Sequence, residues 1–337
     1  MSLLPELHQI ENCIQTMSKV GRAEVIGSVP YQGKDFPIHK VSFGSTDPKA
    51  PVLGIVGGVH GLERIGAQVA VALLGTIAEF STWDETLQKT LENMRIFFIP
   101  MINPVGIAHK TRSNGRGVDL MRNAPVEAEN AAFLVGGQRY SPKLPWYRGA
   151  KDAPMEYEAQ LLVDQIHQEI TQSAFALTVD LHSGFGFQDR LWFPYARTTE
   201  AFPGVGLVKR FEELLLKAHP HHFYKVEPQA ETYTTHGDLW DYIYDRNLNL
   251  NGAKHFLPLC LEMGSWMWVK KNPWQIFSAE GSFNPMKGHR QKRTLRRHHT
   301  LLEFLIRLVA SHDKWVPQTL EDWDHFNQKA KELWYEK

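Results

Sequence analysis

The chain is poor in cysteine: 337 residues carry only Cys13 and Cys260. Two thiols cannot build a disulfide framework, and a reducing compartment is the simplest reading of their scarcity. Neither sign of charge is in excess, since Lys+Arg and Asp+Glu both number 37. Nothing global therefore draws the protein to nucleic acid or to an anionic membrane. No apolar run has the length needed to span a bilayer. The first twenty residues, MSLLPELHQIENCIQTMSKV, lack the basic-then-apolar layout of a secretory signal. Internal repeats and low-complexity linkers are missing too. The expectation is a cytoplasmic protein with neither nucleic acid nor membrane as a partner.

What is present is an ordinary globular composition, 43% hydrophobic and 22% charged. The length suffices to bury a sizeable core. Histidine is generous at 16 residues, so the positions of the imidazoles carry information.

Hydrophobic periodicity organises the chain. Residues 3–19 read as an amphipathic helix packed on the main body, and Pro37 to Phe43 alternates as an edge strand would. Val52 to Val56 is a short apolar run closed by Gly57 and Gly58, a buried strand. From Ile65 the period changes: Ile65, Val69, Leu73 and Ile77 recur every four residues, as on one face of a helix. Met94 to Ile99, Phe175 to Leu181 and Phe256 to Leu261 read as further buried strands. Residues 156–169, 295–311 and 318–336 read as helices. This alternation predicts an α/β fold with a mostly parallel or mixed central sheet and helices on both faces. The expected layout is a lead-in over residues 1–35, one catalytic domain over 36–312 and a helical extension over 313–337.

Three segments carry candidate chemistry, and each ends a predicted central strand. In Gly57 to Gly66 (GGVHGLERIG), His60 and Glu63 stand in a glycine turn entering a helix. In Val179-Asp180-Leu181-His182-Ser183-Gly184 a second histidine follows a buried strand. In Leu257 to Gly264 the carboxylate of Glu262 ends an apolar strand, where burial without a partner would be costly. Taken singly, each has a plain structural explanation: a strand-capping histidine, a glutamate at a helix start, a strand-end carboxylate turned to water. Taken together they say more. The C-terminal edge of such a sheet is where ligands bind. Two histidines and one carboxylate hold zinc with an open position for water, and a second carboxylate stands by as general base. A fourth segment, Lys110 to Asn123, brings Lys110, Arg112, Arg116 and Arg122 among glycines. Its cations read either as a solvated loop or as a grip on a substrate carboxylate or oxyanion.

These motifs, in this order, resemble the zinc metallocarboxypeptidase family in its short bacterial form. The resemblance rests on His60-Gly61-Leu62-Glu63, His182-Ser183, Glu262, Asn103-Pro104-Val105-Gly106 and Gly117-Val118-Asp119-Leu120-Met121-Arg122-Asn123, and covers roughly residues 40–310. It implies one zinc ion per chain on His60, Glu63 and His182, with Glu262 as general base. It implies that Arg122 pairs with the terminal carboxylate of a peptide and that Arg112 polarises the scissile carbonyl; on the longer animal-type loop His109 takes that second place. Tyr233, eight residues before Asp241, matches the family's mobile substrate-binding tyrosine. By the same alignment Trp240 lies near the side-chain pocket. Met121 departs from the pattern, which has asparagine there, and a thioether donates no hydrogen bond.

Two other readings remain open at this stage. Aspartoacylase and succinylglutamate desuccinylase-like amidohydrolases share the His-Gly-x-Glu motif and would cleave acyl groups from amino acids. A non-catalytic zinc-binding protein on the same fold is the other. The basic stretch from Lys287 to His299 reads as a solvated helix face, and His219, His221 and His222 as a surface loop.

Overall fold

The computed structural model describes residues 4–17, 19–184 and 186–336. The two ends of the helix expected over 3–19 touch residues outside that range, Leu3 and Ser18; within it the helix α1 runs Pro5–Thr16. The strands are β1 (Gly21–Tyr31), β2 (Lys34–Gly44), β3 (Val52–Gly57), β4 (Arg95–Ile99), β5 (Ala176–Ser183), β6 (Arg190–Phe193), β7 (Lys225–Pro228) and β8 (Phe256–Met263). Between them come α2 (Arg64–Trp83), α3 (Glu85–Leu91), α4 (Pro104–His109), α5 (Tyr157–Ile170), α6 (Val205–Ala218) and α7 (Leu239–Asn249). After β8 follow α8 (Trp266–Lys271), α9 (Gly288–Arg297), α10 (His299–Ala310), α11 (His312–Trp315) and α12 (Leu320–Trp334).

The described strands form one mixed sheet in the order β1-β2-β4-β3-β5-β8-β6-β7. Its centre is parallel: β4, β3, β5 and β8 all run the same way. These strands are predominantly apolar and almost wholly buried, as a helix-covered parallel sheet requires, and the polar residues of β5 and β8 gather toward their C-terminal ends. At one side β2 and β1 are antiparallel; at the other, β6 runs antiparallel to β8 and parallel to β7.

The α2 stripe of Ile65, Val69, Leu73 and Ile77 is buried against the sheet as its spacing predicts. Among the described residues α2 is the one helix long and apolar enough to cross a membrane by length and composition, but most of it is packed inside the molecule. At the far end of the chain, Asn327 of α12 accepts from the Gly206 amide of α6 at 3.0 Å, and the Trp334 indole donates to the Val226 carbonyl of β7 at 3.2 Å.

Three expectations are corrected. Pro37 to Phe43 lies in β2, which is not at the edge: β1 covers it, a strand with no buried residue and so no alternating apolar signal. The helix over 295–311 is two helices. They meet at His298, which is buried and hydrogen-bonded through Nδ1 to the Tyr224 hydroxyl at 2.9 Å. Trp240 does not line the cavity described below but stands behind it; its buried indole donates to Asp180 Oδ2 at 2.9 Å.

Candidate metal centre

β3, β5 and β8 are neighbours in the sheet and parallel, so their C-terminal ends open at one edge. His60 and Glu63 follow β3, while His182 and Glu262 sit in β5 and β8 as direct register partners. Residues opposite one another in adjacent strands point to the same face. The turn carrying His60 is pinned from behind. A Cβ on Gly61 would collide with the Gly106 backbone, so the His60–Glu63 turn and the Asn103–Gly106 turn approach to a distance only glycine allows. Asn103 locks the pair: its Nδ2 donates to the Val59 carbonyl at 3.0 Å while Oδ1 caps α4 at the Gly106 amide, 2.9 Å away.

The donor atoms of His60, Glu63 and His182 lie within 4.8 Å of one another, and all three residues are buried. Each imidazole faces a carboxylate at both nitrogens. His60 Nε2 is 3.0 Å from Asp119 Oδ1, and its Nδ1 is 2.9 Å from Glu63 Oε1. His182 Nε2 is 2.8 Å from Asp180 Oδ2, and its Nδ1 is 3.1 Å from Glu63 Oε2. A neutral imidazole has one N–H. With Nε2–H donated to Asp119 and Asp180, both Nδ1 lone pairs converge with the Glu63 carboxylate. That arrangement is satisfied by a cation between them, and the outer aspartates are the partners that orient metal-binding histidines. The donor set of two imidazoles and one carboxylate fits zinc.

Electrostatics separates the two glutamates. Burial acts to raise the Glu63 pKa, but the His60 and His182 rings overrule it and hold the group well below the usual carboxylate range. The Ser183 amide also donates to Glu63, at 3.0 Å. Glu262 is pushed the other way, up to about 8, by burial and then by the negative charge of Glu63, with His182 and Arg112 partly offsetting. Its Oε2 is buried and finds no partner among the described residues. A cation on Glu63 would remove much of that repulsion. Burial likewise opposes ionisation of Asp119, yet Arg112 and His60 keep it well below the ordinary value.

The site encloses a cavity of about 20 Å³, about the room one water needs. Besides the four residues above, Arg112, Met121, Arg122 and Tyr233 line it. Arg112 reaches both buried carboxylates: its Nη1 donates to Glu63 at 2.9 Å and its Nε to Asp119 at 2.8 Å. Arg122 is buried and shares a hydrogen bond with the Tyr233 hydroxyl. A Cβ on Gly237 would strike the Arg122 carbonyl, so the chain before α7 presses directly on the Arg122 segment. His109 is not brought in. It ends α4 at the surface, edge-on to Tyr31 with ring centroids 4.7 Å apart. His219, His221 and His222 form no metal-holding group among the described residues.

Trp192, Gln229 and Cys260 also line the cavity and were missed from sequence. Cys260 had a signal: it stands two residues before Glu262 in one strand and so shares its face. Trp192 had none, because the four residues of β6 are too few to show a period.

The sequence profile of the family described as zinc carboxypeptidase matches residues 9–264. Carboxypeptidase A1 of Rattus norvegicus is 28% identical over 176 residues, covering 50% of this chain and 40% of that protein. Carboxypeptidase A4 of Mus musculus is 27% identical over 220 residues, covering 61% and 50%. The chain thus spans about half the length of the curated relatives it matches. Among solved structures, thrombin activatable fibrinolysis inhibitor superposes with a TM-score of 0.62 at 18% identity, covering 91% of this chain and 74% of that one. At that identity the likeness speaks for the fold alone.

Proposed function

The chain belongs to the zinc carboxypeptidase family, and from that premise we propose that it is a metal-dependent amide hydrolase that removes C-terminal residues from peptides. The observation that carries the proposal is the pairing of His182 with Glu262 across β5 and β8, which sets beside the three-donor cluster a carboxylate whose buried Oε2 finds no partner among the described residues. Zinc held by His60, Glu63 and His182 would supply a Lewis acid that acidifies water and polarises a carbonyl.

The chain's own groups supply the remainder. Glu262 takes the proton of the attacking water and delivers it to the amide nitrogen as the C–N bond breaks. Burial, the first cause of the raised Glu262 pKa, persists with a cation on Glu63, and it suits a group that must both take up and release a proton near neutral pH. Arg112 faces the carbonyl oxygen as negative charge develops there. Arg122 pairs with an anionic group of the substrate, and Tyr233, already hydrogen-bonded to Arg122, adds a donor.

Met121 favours a second reading, an N-acyl amino acid amidohydrolase. Its thioether lines the cavity where the family pattern has an amide, so a peptide carboxylate loses a donor there.

A mass-spectrometric digest separates the two. Zinc-loaded protein and a Glu262→Gln control would be given peptides with free C-termini, the same peptides amidated, and N-acyl amino acids. Loss of single residues from free C-termini alone supports the carboxypeptidase. Cleavage of N-acyl amino acids alone supports the amidohydrolase. Near-normal turnover by Glu262→Gln, with zinc still bound, would overturn the assignment of the base.

A further inference from the structure

The zero net charge of the chain conceals one strongly asymmetric stretch. Residues 264–297 hold eight Lys and Arg against a single carboxylate, Glu280. Glu280 is itself neutralised by Lys110 at 2.8 Å. The same stretch exposes large apolar side chains. Among the described residues six tryptophan and phenylalanine side chains are exposed, and four of them, Phe187, Trp266, Trp274 and Phe277, lie in this stretch or pack on it. Trp274 and Phe277 are 80% and 82% exposed, their ring centroids 5.9 Å apart. Trp266 meets Phe187 at 6.1 Å, with Lys270 Nζ 5.9 Å from the Phe187 ring.

The cations belong to the same body. In α9, His289, Lys292, Arg293 and Arg296 are exposed at spacings of three and four, which places them on one helix face. Arg290 ties α9 to the aromatic segment through the Trp268 and Lys271 carbonyls at 3.4 and 3.2 Å. Exposed tryptophan and phenylalanine are expensive in water without a use. Aromatic rings flanked by unpaired lysine and arginine are the chemistry of a polar–apolar boundary whose polar side is negative.

We propose that this face, formed by residues 264–297 with Phe187, docks the protein reversibly on an anionic lipid surface, with Trp274 and Phe277 inserting at the headgroup boundary and Lys270, Lys271, Lys292, Arg293 and Arg296 pairing with lipid phosphates. The segment is bolted to the metal centre: the Phe283 carbonyl accepts from Ser183 Oγ at 2.8 Å, and Asn284 bridges the Ile65 amide and the Leu62 carbonyl at 2.9 and 2.8 Å. Docking therefore holds the candidate catalytic edge of the sheet in a set relation to the lipid surface.

Vesicle co-sedimentation tests this with the full chain. The probes are vesicles of phosphatidylcholine alone and of phosphatidylcholine mixed with phosphatidylglycerol. The protein should sediment with the mixed vesicles, should leave the neutral ones in the supernatant, and should be released by salt. Two double variants, Trp274→Ser with Phe277→Ser and Lys292→Glu with Arg293→Glu, should each lower the partition by about tenfold or more. Both should keep the wild-type circular dichroism and zinc content, since none of these side chains lies at the metal centre. No binding to mixed vesicles at low salt overturns the proposal. So does an aromatic variant that binds like wild type, which would mark a mere polyanion site. So does a dimer in sedimentation velocity that both variants abolish and vesicles do not displace. If either variant fails to fold, the salt dependence and the neutral-lipid control on the wild-type chain still decide.

Discussion

The indole of Trp240 and the imidazole of His182 share one oxygen: both reach Asp180 Oδ2, at 2.9 and 2.8 Å. The indole has only a proton to give, so it holds the carboxylate in place as an acceptor for His182 Nε2–H. That choice leaves His182 Nδ1 to face Glu63 at 3.1 Å as a metal donor.

Asp180→Asn should therefore weaken zinc binding by about 10- to 100-fold, the usual effect of losing the group behind a metal-bound histidine. Trp240→Phe, which keeps the carboxylate but frees it to turn, should cause a smaller loss. Competition against a chromophoric chelator measures both. Wild-type affinity in Asp180→Asn would refute the orienting role.

Met121→Asn restores an amide donor beside Arg122. It should strengthen binding of substrates with a free terminal carboxylate by about 1.5–3 kcal/mol, read as a KM lower by about ten- to a hundredfold with kcat little changed. Amidated peptides should not respond. An equal change for both would show that position 121 does not see the carboxylate.

Stability should carry a pH signature from His298. Burial, with Arg297 and His299 nearby, lowers its pKa to about 3 in the fold, against about 6.5 unfolded. Tyr224, on Nδ1, and Asp189, 4.0 Å from Nε2, are the other groups that face it. The folded ring stays neutral while the unfolded ring takes up a proton. Stability is thus full above pH 6.5 and is lost as pH falls from 6.5 toward 3, by about 1.4 kcal/mol per unit from this one group. Urea unfolding of wild type and His298→Phe between pH 7 and pH 5 should show a shallower slope in the variant. Parallel slopes would mean that the buried ring does not control this window.

Removing the metal should lower the unfolding midpoint. A ligand at a hundred times its Kd stabilises the fold by about 2.7 kcal/mol, so chelation should cost several degrees and zinc should restore them. His60→Ala should melt at the chelated temperature with or without zinc. A chelator-independent midpoint in the wild type would argue against a resident metal at His60, Glu63 and His182.

Much of this was legible before the fold was known. The central strands β3, β4, β5 and β8 and the helix α2 are long enough and apolar enough to declare their period. The flanking pieces are not. β1 is solvent-facing, β6 and β7 have four residues each, and the break at His298 depends on a hydrogen bond to Tyr224, distant in sequence.

The sequence by itself determined which residue types stand at the ends of β3, β5 and β8, and in what order. A glycine turn after a buried strand is a local property, written in a few consecutive residues. Tertiary structure decided how those ends converge. The β5–β8 register pairs His182 with Glu262, while Asp119 and Asp180 leave both Nδ1 atoms as donors. The fold brings Arg112 to the cavity and leaves His109 at the surface, and it puts Trp192 rather than Trp240 in the cavity lining. Each of these depends on contacts between residues far apart in the chain, and no local pattern specifies them.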